Sequence, residues 1–232
     1  MDDIKLKNKL AAELLGVFVL TFLGAGSILS TSYQAGSMGF PQLVAVALAH
    51  GIALAIAVTF AMAISGGHIN PAVTIGMFAT KRISARNAAF YIAAQIIGAV
   101  LAVSMLSLTF PTQLGTSLNW GTPGLANGIG VLQGIAIEGV GTFMLMLSVF
   151  GTAVDQRAPK IGGFGIGLML AAIVMAIGPF TGAAVNPAIS IGPAIVSGDF
   201  ANWFVYWIGP IIGAIAAALI YEYAILDRKT RK

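Results

Sequence analysis

Ser65-Gly66-Gly67-His68-Ile69-Asn70-Pro71-Ala72-Val73-Thr74 is answered 116 residues later by Thr181-Gly182-Ala183-Ala184-Val185-Asn186-Pro187-Ala188-Ile189-Ser190. Asn is a favoured N-cap, and Pro fits the first helical turn, where its missing N–H costs nothing. Each copy therefore starts a helix. The apolar stretches that follow, Asn70–Thr80 and Asn186–Ser197, last only 11 and 12 residues, or roughly 17 Å at 1.5 Å per residue. A hydrocarbon core is about 30 Å thick, so helices this short are expected to enter a membrane and stop near its middle.

The flanking sequence is duplicated as well. Ala12-Glu13-Leu14-Leu15-Gly16-Val17-Phe18 corresponds to Ile137-Glu138-Gly139-Val140-Gly141-Thr142-Phe143, and Tyr91-Ile92-Ala93-Ala94-Gln95-Ile96-Ile97-Gly98 to Tyr206-Trp207-Ile208-Gly209-Pro210-Ile211-Ile212-Gly213. Length, breakers and charge predict spans near 10–30, 41–64, 86–109, 128–152, 162–179 and 202–224. Each half then holds three spans and one short helix, with repeat 1 at about 10–110 and repeat 2 at about 128–224 of a single domain, 1–232. An odd number of spans per repeat inverts the second half in the membrane, so the short helices dip in from opposite faces. Gly and Ala at spacings of three and four, as in Ala45/Ala49/Ala53/Ala57, allow close helix approach.

Composition agrees on the solvent. Hydrophobic residues make up 58% of the chain, charged residues 9%, and mean hydropathy is +0.92, whereas soluble domains carry about 25% charged residues. Lys5, Lys7 and Lys9 precede an apolar stretch too long for a cleaved signal peptide. The net charge of +4 is a matter of topology. Every Lys and Arg lies at the N-terminus, in Lys81-Arg82-Arg86, in Arg157-Lys160 or in the tail Arg228-Lys229-Arg231-Lys232. The connections Thr31–Phe40, Phe110–Asn127 and Ser197–Ala201 have none. With six spans the positive-inside rule places both termini in the cytoplasm, and no nucleic-acid partner is expected. Cysteine is absent, so thiol-directed mercurials should find no target.

Two helix starts meeting head to head put two positive dipole ends, with the Asn70 and Asn186 amides as donors, at one point. A passing water would turn its oxygen toward both, which interrupts a proton wire and repels cations. The residues before each Asn must be non-helical, so the carbonyls of Gly66, Gly67, His68 and Ile69, and of Gly182, Ala184 and Val185, are expected to line a wet wall. On the paired Asn-Pro-Ala motifs the chain, from about Leu10 to Tyr223, resembles the aquaporin (major intrinsic protein) family. The resemblance implies an all-α membrane fold, with six spans and two re-entrant half-helices around a pore in each subunit. It also implies a homotetramer and passive flow. Ser190, Ala194, Tyr206 and Trp207 resemble water-selective members; glycerol facilitators usually carry Asp where Ser190 stands.

The chain departs from the family where Arg usually follows the second motif, because Ile189 stands there. Alignment with the family gives His50, Val174 and Ala183 as the other constriction positions. The set resembles plant vacuolar-membrane members, some of which pass urea, ammonia or hydrogen peroxide. Removing a guanidinium with up to five donors leaves His50 as the one polar side chain of the ring. Water permeability with relaxed exclusion of small neutral solutes is expected, glycerol being the largest candidate. A channel passing mainly solute with minor water flux is the alternative.

Glu13 and Glu138 are the carboxylates well inside spans. Intramembrane acids are usually functional, which makes a proton relay one reading. Their symmetry favours a structural role, each accepting backbone N–H groups from its own half's loop. A secondary transporter shares inverted repeats but gathers ion-coupling groups at the midplane, and a membrane enzyme would need clustered ligands or a nucleophile with its base. No catalytic residue, metal or cofactor is expected. Partners are water, small neutral solutes and the bilayer. The compact termini point to a microbial plasma membrane.

Overall fold

The computed structural model describes residues 4–36, 39–159 and 161–226. Lys160 and the basic tail residues Arg228, Lys229, Arg231 and Lys232 lie outside the described residues. Six helices are long and apolar enough to span a membrane. They are α1 (Leu6–Ala35), α2 (Phe40–Ser65), α4 (Ala85–Thr109), α6 (Val131–Val149), α7 (Gly162–Thr181) and α9 (Val205–Ile220). Two short helices, α3 (Pro71–Ala79) and α8 (Pro187–Ser197), are the half-helices, and a further one, α5 (Thr112–Ser117), follows α4. No strand occurs among the described residues.

The helices end where local chemistry ends them. α2 stops at Gly66 and α7 at Gly182, both left-handed (φ 94° and 82°), and their N–H groups bond the carbonyls of Met62 and Gly178. Glycine adopts that conformation without a β-carbon clash, which is why it closes helices so often. α6 and α9 instead loosen into wide turns, Phe150–Val154 and Tyr221–Ile225, before Asp155 and Leu226 break them. α1 is longer than its predicted range because it carries Lys7 and Lys9 inside its first turns and Tyr33 inside its last, whereas α6 and α9 begin three residues later than predicted, at Val131 and Val205. Helix-compatible polar residues at membrane edges prolong a helix without adding hydropathy.

The halves interlock. α3 packs on α9 and α8 on α4, each half-helix lying against a span of the opposite repeat, while α2 lies along α7. Gly51 and Gly167 are repeat mates, and they meet each other: a β-carbon on Gly51 would stand 2.6 Å from the Gly167 carbonyl. Mates touching across one point are what a two-fold axis in the membrane plane requires. Close backbone approach at small residues is the means by which spans associate where no hydrophobic effect acts between them.

The basic segments share a face. Arg82, after α3, pairs with Glu222 at the end of α9 (2.8 Å), and Arg157 reaches the Ile225 carbonyl (3.4 Å). On the other face Asn119 bonds Asp199 at 2.7 Å and Thr122 meets Ser197 at 3.0 Å. The stretch Phe110–Asn127, expected as a plain connection, is more than that. It forms α5 and a tight turn at Asn119–Gly121, buries Trp120, and returns to bond Ala126 N–H to the Phe180 carbonyl at 2.9 Å.

Candidate functional site: the junction of the half-helices

Each Asn-Pro-Ala builds its own cap. Asn70 Oδ1 accepts from Ala72 N–H at 2.8 Å and Asn186 Oδ1 from Ala188 N–H at 3.0 Å, while Pro71 and Pro187 occupy the first helical position. The amides then cross between the halves. Asn70 Nδ2 donates to the Val185 carbonyl (2.8 Å) and Asn186 Nδ2 to the Ile69 carbonyl (3.0 Å). One N–H of each asparagine is thereby committed to protein, and one remains.

Within the expected wall of carbonyls, Ile69 and Val185 each give one lone pair to the asparagine of the opposite half and keep the second. Among the described residues no protein donor reaches the carbonyls of Gly66, Gly67, His68, Gly182 or Ala184. The chain reaches this geometry at some strain: Ile69, Ala183 and Val185 are left-handed at φ 52°, 50° and 41°. L-residues resist that conformation by about 1–2 kcal/mol each.

The two buried acids hold the loops in place. Glu13 Oε1 accepts from Ser65 Oγ (2.6 Å) and His68 N–H (2.9 Å), and Oε2 from Ile69 N–H (2.6 Å) and Gln95 Nε2 (2.7 Å). Four donors match the four lone-pair positions of a carboxylate. Glu138 accepts from Thr181 Oγ1 (2.6 Å), Ala184 N–H (3.1 Å) and Val185 N–H (2.7 Å). Its fourth donor is missing because Pro210 stands where the first repeat has Gln95. Tyr91 and Tyr206, also mates, donate to the carbonyls of Ser65 and Thr181 at 2.9 and 3.0 Å. The sequence flagged the acids; Gln95, Ser65 and Thr181 carried no signal until their partners were in view.

Between the half-helix starts runs a narrow cavity lined by Asn70 and Asn186, by Gly67, His68, Ala184 and Val185, and by an aliphatic wall that includes Leu20, Leu54, Leu145 and Leu170. Room for water centres is about 20 Å³, and one water needs on the order of 10–15 Å³ by this measure. The junction therefore has room for one or two waters. His68 lies across Tyr91 with ring centroids 5.3 Å apart, its Nδ1 3.2 Å from Thr74 Oγ1. No ionised side chain lines the cavity.

Of the four positions assigned to a constriction, Ile189 lines this cavity, whereas Val174 and Ala183 are buried in the same apolar cluster beside it. His50 lies apart from that cavity, with Nδ1 2.9 Å from the Val46 carbonyl and its ring against Gly24. The repeat nevertheless relates all four to the cavity. Their mates 116 residues earlier or later are Ile166, Val58, Gly67 and Val73, and every one of those lines it.

The sequence profile of the Major intrinsic protein family matches residues 1–221. The chain is similar to aquaporin TIP4-4 of Zea mays, at 44% identity over 91% of this chain and 84% of that one. It is similar also to probable aquaporin TIP3-2 of Arabidopsis thaliana, at 41% identity over 93% and 82%. The fold is that of the aquaglyceroporin from Plasmodium falciparum, with TM-score 0.85 and 22% identity over 95% of this chain and 97% of that one. Opposed half-helices, a narrow uncharged cavity and a family match across nearly all of its length agree, and the chain belongs to the major intrinsic protein family as a multi-pass membrane channel for water, not an enzyme.

Proposed function

We propose that this channel conducts water and small neutral solutes, namely urea, ammonia and hydrogen peroxide with glycerol at the upper size limit, while excluding ions and protons. The observation that carries the reading is the meeting of two capped helix starts, Asn70 and Asn186, in a narrow cavity that no charged side chain enters. The remaining amide N–H of each asparagine and the two helix dipoles favour a water oxygen at that point and oppose a cation. An ion would surrender its hydration to a wall whose other side is aliphatic, a cost of several kcal/mol.

The choice among neutral solutes is assigned to His50, Val174, Ala183 and Ile189. Where many relatives in the family set a guanidinium, Ile189 offers a branched alkyl group, so a solute meets less steric resistance and fewer donors. Ile189→Arg in liposomes, followed by stopped-flow light scattering, tests this. Urea, ammonia and peroxide permeability should fall relative to water; unchanged ratios would remove Ile189 from the selectivity assignment. Solute flux far above water flux would favour the solute-facilitator alternative, and flux that saturates or follows an ion gradient would favour a transporter.

The whole chain acts in this reading as one channel domain, assembled as a homotetramer. Exposed Ile52, Ile56, Phe164 and Leu168 give α2 and α7 an apolar outer face that suits lipid or a neighbouring copy. Native mass spectrometry should give a mass of four chains. Basic residues gathered on one face put both termini in the cytoplasm. The plasma-membrane setting expected from the sequence gains nothing from the TIP relatives, and membrane fractionation of a tagged chain decides it.

A further inference from the structure

We propose that Gly24 is a positioning residue for His50, holding the imidazole back against α1 so that the channel stays open to solutes larger than water. The inference rests on the assignment of His50 to the constriction. His50 Nδ1 lies 2.9 Å from the Val46 carbonyl, which can only accept, so Nδ1 carries the proton and Nε2 is bare. That bond fixes one edge of the ring. The opposite edge lies on Gly24: a β-carbon there would overlap Nε2 and stand 2.6 Å from Cδ2 and 2.9 Å from Cε1. No other group comes as close to that position.

The internal repeat shows what the slot replaces. Gly24 corresponds to Val149 and His50 to Ile166, at the same offsets that relate Glu13 to Glu138 and Asn70 to Asn186. Val149 and Ile166 are both aliphatic and both line the cavity. By the same inversion Gly24 and His50 stand at the path's other end, with one side chain deleted and an imidazole laid into the room it leaves. A methyl group on Gly24 cannot coexist with the ring in this pose. The ring would have to give up the Val46 bond and turn out of the slot, and with His50 assigned to the constriction the proposal sends it into the path.

Gly24→Ala, His50→Ala and the double variant, reconstituted in liposomes, test the proposal through the ratio of urea to water permeability. One methylene in a tight passage is worth about tenfold in discrimination, so Gly24→Ala should lower the ratio by about that factor. In the His50→Ala background Gly24→Ala should change nothing. A ratio unaffected by Gly24→Ala, or a fall of equal size with and without His50, would overturn the proposal, since the second result marks simple packing damage. Should Gly24→Ala fail to assemble, rescue by His50→Ala supports the proposal and failure of both overturns it. If His50→Ala alone leaves the ratio unchanged, the constriction assignment itself falls and takes the proposal with it.

Discussion

Asn70 donates to the carbonyl of Val185 at 2.8 Å, tying the cap of one half-helix to the loop that leads into the other. Asn186 returns the bond to Ile69 at 3.0 Å. Each asparagine thus serves a helix and a junction at once. Asn70→Ala should lose a cap worth about 1 kcal/mol and leave the buried Val185 carbonyl without its donor, at about 1–3 kcal/mol more. Asn70→Asp keeps the acceptor for Ala72 but turns a second acceptor toward the Val185 carbonyl, so a repulsion replaces the crossing bond. Both variants should melt earlier in detergent, and both should pass less water. Equal melting of Asp and wild type would show that the crossing bond adds no stability.

The capping role of these asparagines was legible in the sequence because it is local: acceptor, Pro and helix follow one another within three residues. The crossing bonds were not, since they join residues 115 and 117 positions apart and depend on the inverted packing of the halves. Gly24 was hidden for a related reason. In helices where Gly and Ala recur throughout, one more glycine reads as packing, and only the ring lying on it marks it out. Thr112–Ser117 carries too few apolar residues to show a helical period, so α5 looked like loop.

Glu13 and Glu138 are mates with unequal support, four donors against three. Replacing either by Gln puts an amide NH₂ where an acceptor stood. In Glu13→Gln that NH₂ meets one fixed backbone donor whichever way the amide turns, and a second group must also turn to accept, the Ser65 hydroxyl by rotation or the Gln95 amide by a flip. In Glu138→Gln it can face Val185 N–H alone, with nothing else to rearrange. The first substitution should therefore lower the melting temperature more, by the cost of that rearrangement, about 1 kcal/mol. Thermal denaturation of the purified variants followed by circular dichroism measures the order; the reverse order would show that donor count does not set the strength of these braces.

Gly67 and Ala183 are mates that both adopt left-handed backbone, at φ 64° and 50°. Ala183→Gly should relieve about 1 kcal/mol of strain and clear a methyl group from the assigned constriction, raising both melting temperature and urea flux. Gly67→Ala should do the opposite. Its new β-carbon would sit 3.1 Å from the Val58 carbonyl and 3.2 Å from Met62 N, adding overpacking to the strain, for a loss of about 1–3 kcal/mol. A gain from both substitutions would refute the strain argument.

Asp155 joins the end of α6 to the Arg157 side chain at 2.9 and 2.8 Å and receives the Tyr221 hydroxyl at 3.3 Å. The side-chain hydrogen bond from Arg157 leads the causes that hold its carboxyl down, at about 2. A carboxylate with a depressed folded value contributes stability above its ordinary value near 3.9, and that contribution is lost as pH falls toward 2. Asp155→Asn should leave melting between pH 5 and 7 lower than wild type, and the gap should close only as pH falls from about 4 toward 2. A gap that stays constant with pH would mean the carboxylate's charge is not what holds the loop.

Val73 and Ile189 are mates lining the same cavity, each on the first turn of a half-helix, and the two half-helices leave the centre toward opposite faces. α3 runs to the face where Arg82 meets Glu222, and α8 to the face where Ser197 meets Thr122. The chain has no cysteine, so thiol reagents should leave the unmodified channel open. Val73→Cys and Ile189→Cys each introduce a single target. The junction between them has room for water centres of about 20 Å³, far less than a methanethiosulfonate needs. A membrane-impermeant reagent should therefore block Ile189→Cys from the outer face, where Ser197 meets Thr122, and Val73→Cys from the basic face alone, as read from water flux in vesicles of defined orientation. Block of both from one face would mean that the path is wider at the asparagines than the cavity shows, and block of neither would place these two side chains outside it.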